Sequence, residues 1–262
     1  MPEGDTIYRI AVRLAPRLIG KQLLRVTTQG LVRDLVGKTV TAVQPTGKHL
    51  VIELEGGTYL RMHLGMNGRV RHYSRPEGEA LLAKMSPGRA SLALHTDDAV
   101  HLWINAPTVE ISHRRAPMHR HAIASLGPDV LADDFDSRQA ASRAALHPTR
   151  MIAEVVLDQR IACGIGNIYK SESLFACSVD PRTPVGALDL AKLEEIYTAA
   201  REIMRTNLGP VPRKPFAVYS RTGKPCPRCR APIDCYMLGA TPRWTWSCPR
   251  CQVPGTVAGT GC

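Results

Sequence analysis

Four of the chain's eight cysteines stand in two Cys-X-X-Cys knuckles, Cys226-Pro227-Arg228-Cys229 and Cys248-Pro249-Arg250-Cys251, with 18 residues between them. No other feature constrains the fold as tightly. Each knuckle wraps one side of a tetrahedral site, and four thiolates close the shell around one structural zinc ion. The last fifty residues are poor in aliphatic side chains and rich in Cys, Pro and Arg. Hydrophobic burial cannot hold such a segment, so metal binding has to supply much of its folding free energy. A closed four-cysteine shell leaves no open position, which excludes a chemical role for the zinc. Cys235 between the knuckles reads as a bystander, Cys163 and Cys177 as buried thiols and Cys262 as a tail residue.

The 262 residues suit two domains, or one large one, with real cores, and they carry a net charge of +11. This balance favours a polyanionic partner, nucleic acid ahead of an anionic membrane. From Arg213 to Cys251 eight basic residues stand against one acidic, Asp234, so a zinc module this small and basic is expected to touch phosphates. Between the knuckles Pro242-Arg243-Trp244-Thr245-Trp246 alternates like a hairpin strand. Arg243 falls on one face and the two Trp rings on the other, where packing of the ribbon is preferred over base stacking. No apolar run is long enough to span a membrane, and no secretory signal is visible at the N-terminus. With thiolate ligands that need a reducing compartment, the expected location is a bacterial cytoplasm, or a nucleus in a eukaryote, rather than the exterior.

Periodicity divides the chain into an α+β multidomain protein. Ile7, Ile10, Val12, Leu14 and Leu18 recur at helical spacing over residues 2–19, and Gly20 stops the helix. From about 22 to 112 short strands alternate with turns, as in 50–54, 59–64, 91–94 and 100–104, which suggests a sandwich or barrel-like β domain within 1–125. Residues 126–146, with Gly127-Pro128 and Asp133-Asp134, read as a linker. A helical domain follows over 147–210 and the zinc module over 211–262.

In the helical part, one helix ends near Asp158 and Gly164-Ile165-Gly166-Asn167 opens the next. Paired glycines let a backbone approach closely, and a helix N-terminus attracts an anion. Asn167 either caps that helix or donates its amide to a phosphate. At the other end, the chain begins Met1-Pro2-Glu3-Gly4. Once Met1 is removed, Pro2 becomes a free secondary amine, which attacks an electrophilic carbon to give an iminium directly. Glu3 beside it could serve as acid or base. Taken alone, the same residues fit an ordinary start-site proline in a frayed terminus.

In order, Met1-Pro2-Glu3-Gly4, Thr46-Gly47-Lys48-His49-Leu50, His63-Leu64-Gly65-Met66, the segment 151–177, the run 218–226 and the ribbon with Arg243 resemble the Fpg/Nei family of DNA glycosylase/AP lyases over nearly the whole chain. The resemblance implies a β-sandwich with a leading helix, a helix–two-turn–helix domain and a C-terminal zinc ribbon. It implies a monomer that binds damaged double-stranded DNA in the cleft between the two domains. Pro2 would be the nucleophile at the anomeric carbon, and Glu3 would protonate the sugar ring oxygen. Lys48, by residue type a solvated turn lysine, would contact phosphate near the lesion. Asn167 and Arg243 would hold the backbone around the extruded nucleotide, and Gly166, Lys170 and Arg221 would add DNA contacts. Met66 is placed either as a wedge into the duplex or as a core residue. The implied chemistry is base removal followed by β,δ-elimination, leaving a one-nucleotide gap.

The chain departs from the family pattern at two places. Asp5-Thr6 stands where many members have Pro-Glu, and Asp5 is the nearest substitute carboxylate. The stretch 103–108 lacks the Arg-Arg-Phe triplet of the Fpg branch. With Gly4, this leans to the Nei branch and to oxidised pyrimidines. The alternatives are 8-oxoguanine or formamidopyrimidine specificity, and a catalytically silent damaged-DNA-binding protein on the same scaffold.

Overall fold

The N-terminal helix runs from Gly4 to Leu18 (α1), and its buried stripe is Ile7, Ile10, Ala11, Leu14 and Leu18. Val12, expected on that stripe, is 56% exposed. The positions i, i+3, i+4 and i+7 from Ile7 define the stripe, and residue 12 falls on the opposite side. The computed structural model describes residues 2–28, 35–113, 123–209 and 215–253. Met1, Arg213, Lys214 and the tail with Cys262 lie outside the described residues. The chain divides into two units, residues 1–125 and 126–262.

In the first unit, two four-stranded antiparallel sheets are built from β1 (Arg25–Thr28), β2 (Val40–Thr46), β3 (His49–Leu54), β4 (Thr58–His63), β5 (Arg69–Ser74), β6 (Ala90–His95), β7 (Ala99–Ile104) and β8 (Thr108–His113). Their orders are β2-β3-β4-β8 and β1-β6-β7-β5. The core gathers α1 with Leu50, Ile52, Leu60 and Met62 from one sheet and Leu92, Leu94 and Trp103 from the other, which is the expected sandwich. One helix was not legible as such: α2 (Arg75–Lys84) interrupts the strand region. The Ser74 backbone N–H and hydroxyl both donate to the Glu77 carboxylate, at 3.3 and 2.6 Å, an N-terminal box that the Ser-X-X-Glu spacing encodes. This helix covers the outer face of the second sheet through Leu81 and Leu82, against Ala93, Val100 and Leu102.

The second unit holds α3 (Ser137–Ala145), α4 (Ile152–Leu157), α5 (Asn167–Ala176), α6 (Leu190–Thr206) and the hairpin β9 (Asp234–Leu238) with β10 (Arg243–Ser247). The stretch read as a linker, 126–146, therefore contains a helix. Asp136 caps it by accepting the N–H groups of Arg138 and Gln139, and Ala140, Ala141 and Ala144 bury its inner face. The alanines pack closely without the large apolar residues that a periodicity reading looks for. Helix α5 packs on both α6 and β10, so the ribbon rests on the helical layer. Their shared core is Phe175, Val218, Cys226, Ile233 and Cys248.

Candidate functional site

Glu3 is the N-cap residue of α1. Its carbonyl accepts the Thr6 and Ile7 N–H groups at 3.0 and 3.1 Å, and the residue is fully buried. Pro2, directly ahead of the helix, is half-buried. Asp5 is also buried, but its carboxylate faces Arg9 at 3.5 Å and accepts from the Thr6 hydroxyl at 3.3 Å. Lys48 stands at the tip of the β2–β3 hairpin, where Thr46 pairs with His49 and Gly47-Lys48 form the turn. Gly47 has φ +56° and Lys48 does not enter the positive-φ region. This is a two-residue turn with glycine at its first central position, the type that matches strand twist.

Around that turn lies a cluster that the sequence reading did not single out. His49 and His63 pair across β3 and β4 with ring centroids 5.0 Å apart. Arg61 donates to His49 Nδ1 at 3.0 Å and forms an ion pair with Glu110 at 2.6 Å. Burial, then the Arg61 charge, pushes His49 down to about 4. Burial, then Lys48, lowers His63. Both imidazoles are therefore neutral at pH 7, and Lys48 is close enough to help keep them so. The available signal was register: the two histidines end adjacent strands on one hairpin.

His63 Nδ1 accepts the Gly65 N–H at 3.1 Å, which shapes the loop that carries Met66. Met66 is 72% exposed, so it is not a core residue. The β7–β8 connection is only residues 105–107, and the Pro107 ring abuts Gly65. Here that stretch buttresses the Met66 loop.

In the second unit, Gln159 staples the α4–α5 connection. Its Oε1 accepts the Gly164 N–H at 3.0 Å and its Nε2 donates to the carbonyls of Leu157 and Ile165 at 2.7 and 2.9 Å. Asp158 accepts from Arg160 and Arg150, and those guanidinium groups hold its carboxyl far below the usual range. Gly166 is the N-cap of α5. Asn167, read as a possible cap, is instead its first helical residue. Its Nδ2 donates to the Trp244 carbonyl at 2.7 Å.

Two of the expected DNA contacts are engaged with oxygens of the protein itself. Lys170 is 1% exposed, and its ammonium donates to Asn167 Oδ1 at 2.6 Å, Thr245 Oγ1 at 2.8 Å and the Trp244 carbonyl at 3.3 Å. It is enclosed between α5 and β10, with its ammonium already on three oxygens. Arg221 donates to the carbonyls of Phe216 and Pro225 at 3.3 and 3.0 Å, which shapes the loop entering the first knuckle. Arg228 is similarly used, over the Phe175 ring at 4.4 Å and on the Ala176 carbonyl at 2.8 Å. The basic run of the ribbon is thus partly internal wiring.

Arg243 begins β10 and is exposed. The hairpin tip before it is pinned by the Ala240 N–H on Glu154 Oε1 at 2.8 Å. Between α4 and the hairpin runs a groove of about 470 Å³ bordered by Arg150, Gln159, Arg160 and Arg243. The expected Trp pair splits: Trp246 packs on Tyr219 at 4.6 Å and donates to Thr222, while Trp244 is 55% exposed. The opposite face of β10, with Thr245 and Ser247, is the buried one, because Lys170 draws Thr245 onto α5. A further buried carboxylate escaped the sequence reading. Glu172 accepts the N–H groups of Ala217, Val218 and Tyr219 at 2.8, 2.9 and 2.8 Å and so fixes the chain leading into the ribbon.

Cys226, Cys229, Cys248 and Cys251 bring their sulfurs within 4.8 Å of one another. The Cys226–Cys251 and Cys229–Cys248 pairs are 3.8 and 3.4 Å apart. A tetrahedron with metal–sulfur bonds of about 2.3 Å needs sulfurs roughly 3.8 Å apart, so the four could hold a metal ion. The Ala231 N–H is the main cause that lowers Cys229 to about 7. Cys235 is outside the group, and Cys163 and Cys177 are buried.

Residues 1–109 match the formamidopyrimidine-DNA glycosylase N-terminal domain, and residues 126–210 match the formamidopyrimidine-DNA glycosylase H2TH domain. The chain is 35% identical to the probable endonuclease 8 2 of Streptomyces coelicolor, covering 96% of this chain and 94% of that one. It is also 35% identical to the DNA-(apurinic or apyrimidinic site) lyase Nei2 of Mycolicibacterium smegmatis, covering 96% and 99%. The chain belongs to the Fpg/Nei family. The MutM (Fpg) protein of Thermus thermophilus shares its fold with a TM-score of 0.78 at 26% identity, over 97% of this chain and 100% of that one. The Lactococcus lactis Fpg bound to AP-site DNA reaches a TM-score of 0.81 at 22% identity, over 95% and 99%, a likeness of fold alone. In this Fpg/Nei protein, the sandwich unit carries Pro2, Glu3, Lys48 and Met66. The second unit carries the helix–two-turn–helix segment, Asn167, Arg243 and the four thiols.

Proposed function

We propose that this Fpg/Nei protein is a bifunctional DNA glycosylase/AP lyase of base excision repair that acts on oxidised pyrimidines in duplex DNA. Removal of Met1 exposes the Pro2 amine. The observation that carries the reading is the start of α1, where a half-buried Pro2 directly precedes a fully buried Glu3. A positive helix terminus and partial burial both disfavour an ammonium there, which leaves the nitrogen lone pair available for attack.

The Pro2 nitrogen bonds to C1′ as the bond from C1′ to the base breaks, and the base leaves with a proton. Glu3 protonates the ring oxygen, the C1′–O4′ bond opens, and the nitrogen lone pair forms the iminium. Loss of a C2′ proton expels the 3′ phosphate, a second elimination expels the 5′ phosphate, and water releases Pro2. The nucleotide has to leave the stack first, at a cost of a few kcal/mol. Contacts to phosphate from Lys48, Asn167 and Arg243 offset that cost. Exposed Met66 fills the space left in the duplex. The four thiols hold one zinc ion, whose role is to fold the ribbon that presents Arg243. The thiolate ligands also suit a reducing cytoplasm.

The pyrimidine preference is supported by the β7–β8 connection, Asn105-Ala106-Pro107, which offers no arginine or aromatic side chain to fill the void, and by the endonuclease 8 names of the relatives at 34 to 35% identity, against 30% for the Geotalea uraniireducens Fpg. Borohydride treatment on abasic DNA should trap a covalent adduct at Pro2, located by peptide mass spectrometry. A protein with Met1 removed that yields no adduct rules the mechanism out. Cleavage rates on thymine glycol, dihydrouracil and 8-oxoguanine duplexes test the lesion class, and faster excision of 8-oxoguanine overturns the pyrimidine reading.

A further inference from the structure

An asparagine amide has two ends of nearly the same shape, one accepting and one donating. Only the donating end suits a phosphate. At Asn167 the choice is made by two neighbours: Trp244 offers a carbonyl to Nδ2 at 2.7 Å, and Lys170 offers an ammonium to Oδ1 at 2.6 Å. An ammonium can only donate, so the oxygen must face it, and the second hydrogen on Nδ2 has no partner among the described residues. The same ammonium donates to Thr245 Oγ1, which itself donates to the Arg243 carbonyl at 3.1 Å.

We propose that Lys170 is a positioning residue that locks the Asn167 amide with its N–H turned to the DNA and ties it through Thr245 to the strand that begins at Arg243. The inference rests on the reading of Asn167 and Arg243 as phosphate contacts. A buried ammonium is costly to keep in a protein interior, and here three oxygen acceptors from two elements surround it. The lysine makes one rigid donor pair out of two residues far apart in the chain. It also adds positive charge beneath the surface that a phosphate would occupy, where screening by water is weak.

The test is binding of an uncleavable abasic-analogue duplex, by fluorescence anisotropy, to the zinc-loaded protein and its variants. Zinc content and thermal melting are recorded for each. Asn167→Ala and Lys170→Met are expected to weaken binding by similar factors, about ten- to a hundredfold, as for loss of a charge-assisted hydrogen bond. Adding Lys170→Met to Asn167→Ala should cost less than about twofold more, because the two act through one amide. Because Lys170→Met can also loosen α5 from β10, Lys170→Gln is measured beside it. A neutral donor kept there should hold affinity within about threefold of the parent. Wild-type affinity for Lys170→Met, additive losses, or equal losses for Met and Gln overturn the inference. If Asn167→Ala binds like the parent, the phosphate reading of Asn167 is itself wrong, and the inference falls with it.

Discussion

At the scale of single residues, burial sets the chemistry. Glu3 lies wholly inside at the head of α1, so exchange for its isosteric amide tests proton transfer with little change of shape. Glu3→Gln should slow base excision by at least about a hundredfold, the usual contribution of a positioned acid or base, while circular dichroism and melting stay near the parent. Single-turnover excision assays read this directly. The histidines make a second case. Burial is the main cause that brings His49 and His101 each to about 4, and His101 also faces His72 with the two Nδ1 atoms 3.4 Å apart. In the unfolded chain both sit near 6.5, so the unfolded state binds protons first as the pH falls. Their contribution to stability is complete above about pH 6.5 and is lost between there and about pH 4, at up to roughly 1.4 kcal/mol per pH unit for each. Carbon-detected NMR should show two ring titrations near 4 instead of 6.5. Urea unfolding followed in the sandwich unit should show lower stability at about pH 5 than at about pH 7.

At the scale of elements, the informative positions are those where backbone comes close to other atoms. Gly65 adopts φ +58°, and a Cβ there would lie 2.7 Å from Pro107 Cγ. Gly65→Ala combines left-handed strain with a clash against a ring that cannot swing away. It should cost roughly 1–3 kcal/mol and displace the loop that carries Met66. Thermal melting measures the first effect and affinity for a lesion duplex the second; a variant that melts and binds like the parent would show that this loop adapts freely. The same local logic explains which elements were legible in sequence. Strands β3, β4, β6 and β7 announced themselves as apolar runs between turns. Helix α3 did not, because its inward residues are alanines. Helix α2 did not because it lacks a strong apolar stripe, although its Ser74–Glu77 box was there to be read. On β10 the alternation was visible, but which face would be buried depended on Lys170, a residue from another element.

At the scale of the whole molecule, the two units rest on different sources of stability. The first has a large apolar core drawn from α1 and two sheets. The ribbon has only a small cluster around Phe175 and two of its cysteines, so most of its folding free energy has to come from the metal. A chelator should therefore release the amides of β9 and β10 to rapid hydrogen exchange while those of β3 and β4 stay protected, and DNA affinity should fall with the loss of a fixed Arg243. Equal protection of both hairpins after zinc removal would show that the ribbon holds itself. Arg243→Ala in the zinc-loaded protein should lower the slope of log affinity against log salt by about one, measured by anisotropy over a salt series.

The spacing of the four cysteines, the order of the motifs and the positions of Pro2, Glu3, Lys48, Asn167 and Arg243 are local properties of the chain, and they were enough to place it in its family. Local patterns carry that information because a knuckle, a hairpin turn or a helix start needs only a few consecutive residues. What they could not convey is which charged groups face solvent. Lys170 and Arg221 were expected as DNA contacts from the motifs that hold them, yet Lys170 is buried on Thr245 and Arg221 donates to carbonyls of its own loop. The His49–His63–Arg61–Glu110 cluster and the Glu172 cradle likewise join residues far apart in the chain. Pairing of strands and packing of helices fix such neighbours, and with them the burial and charge that give each group its protonation state and its role.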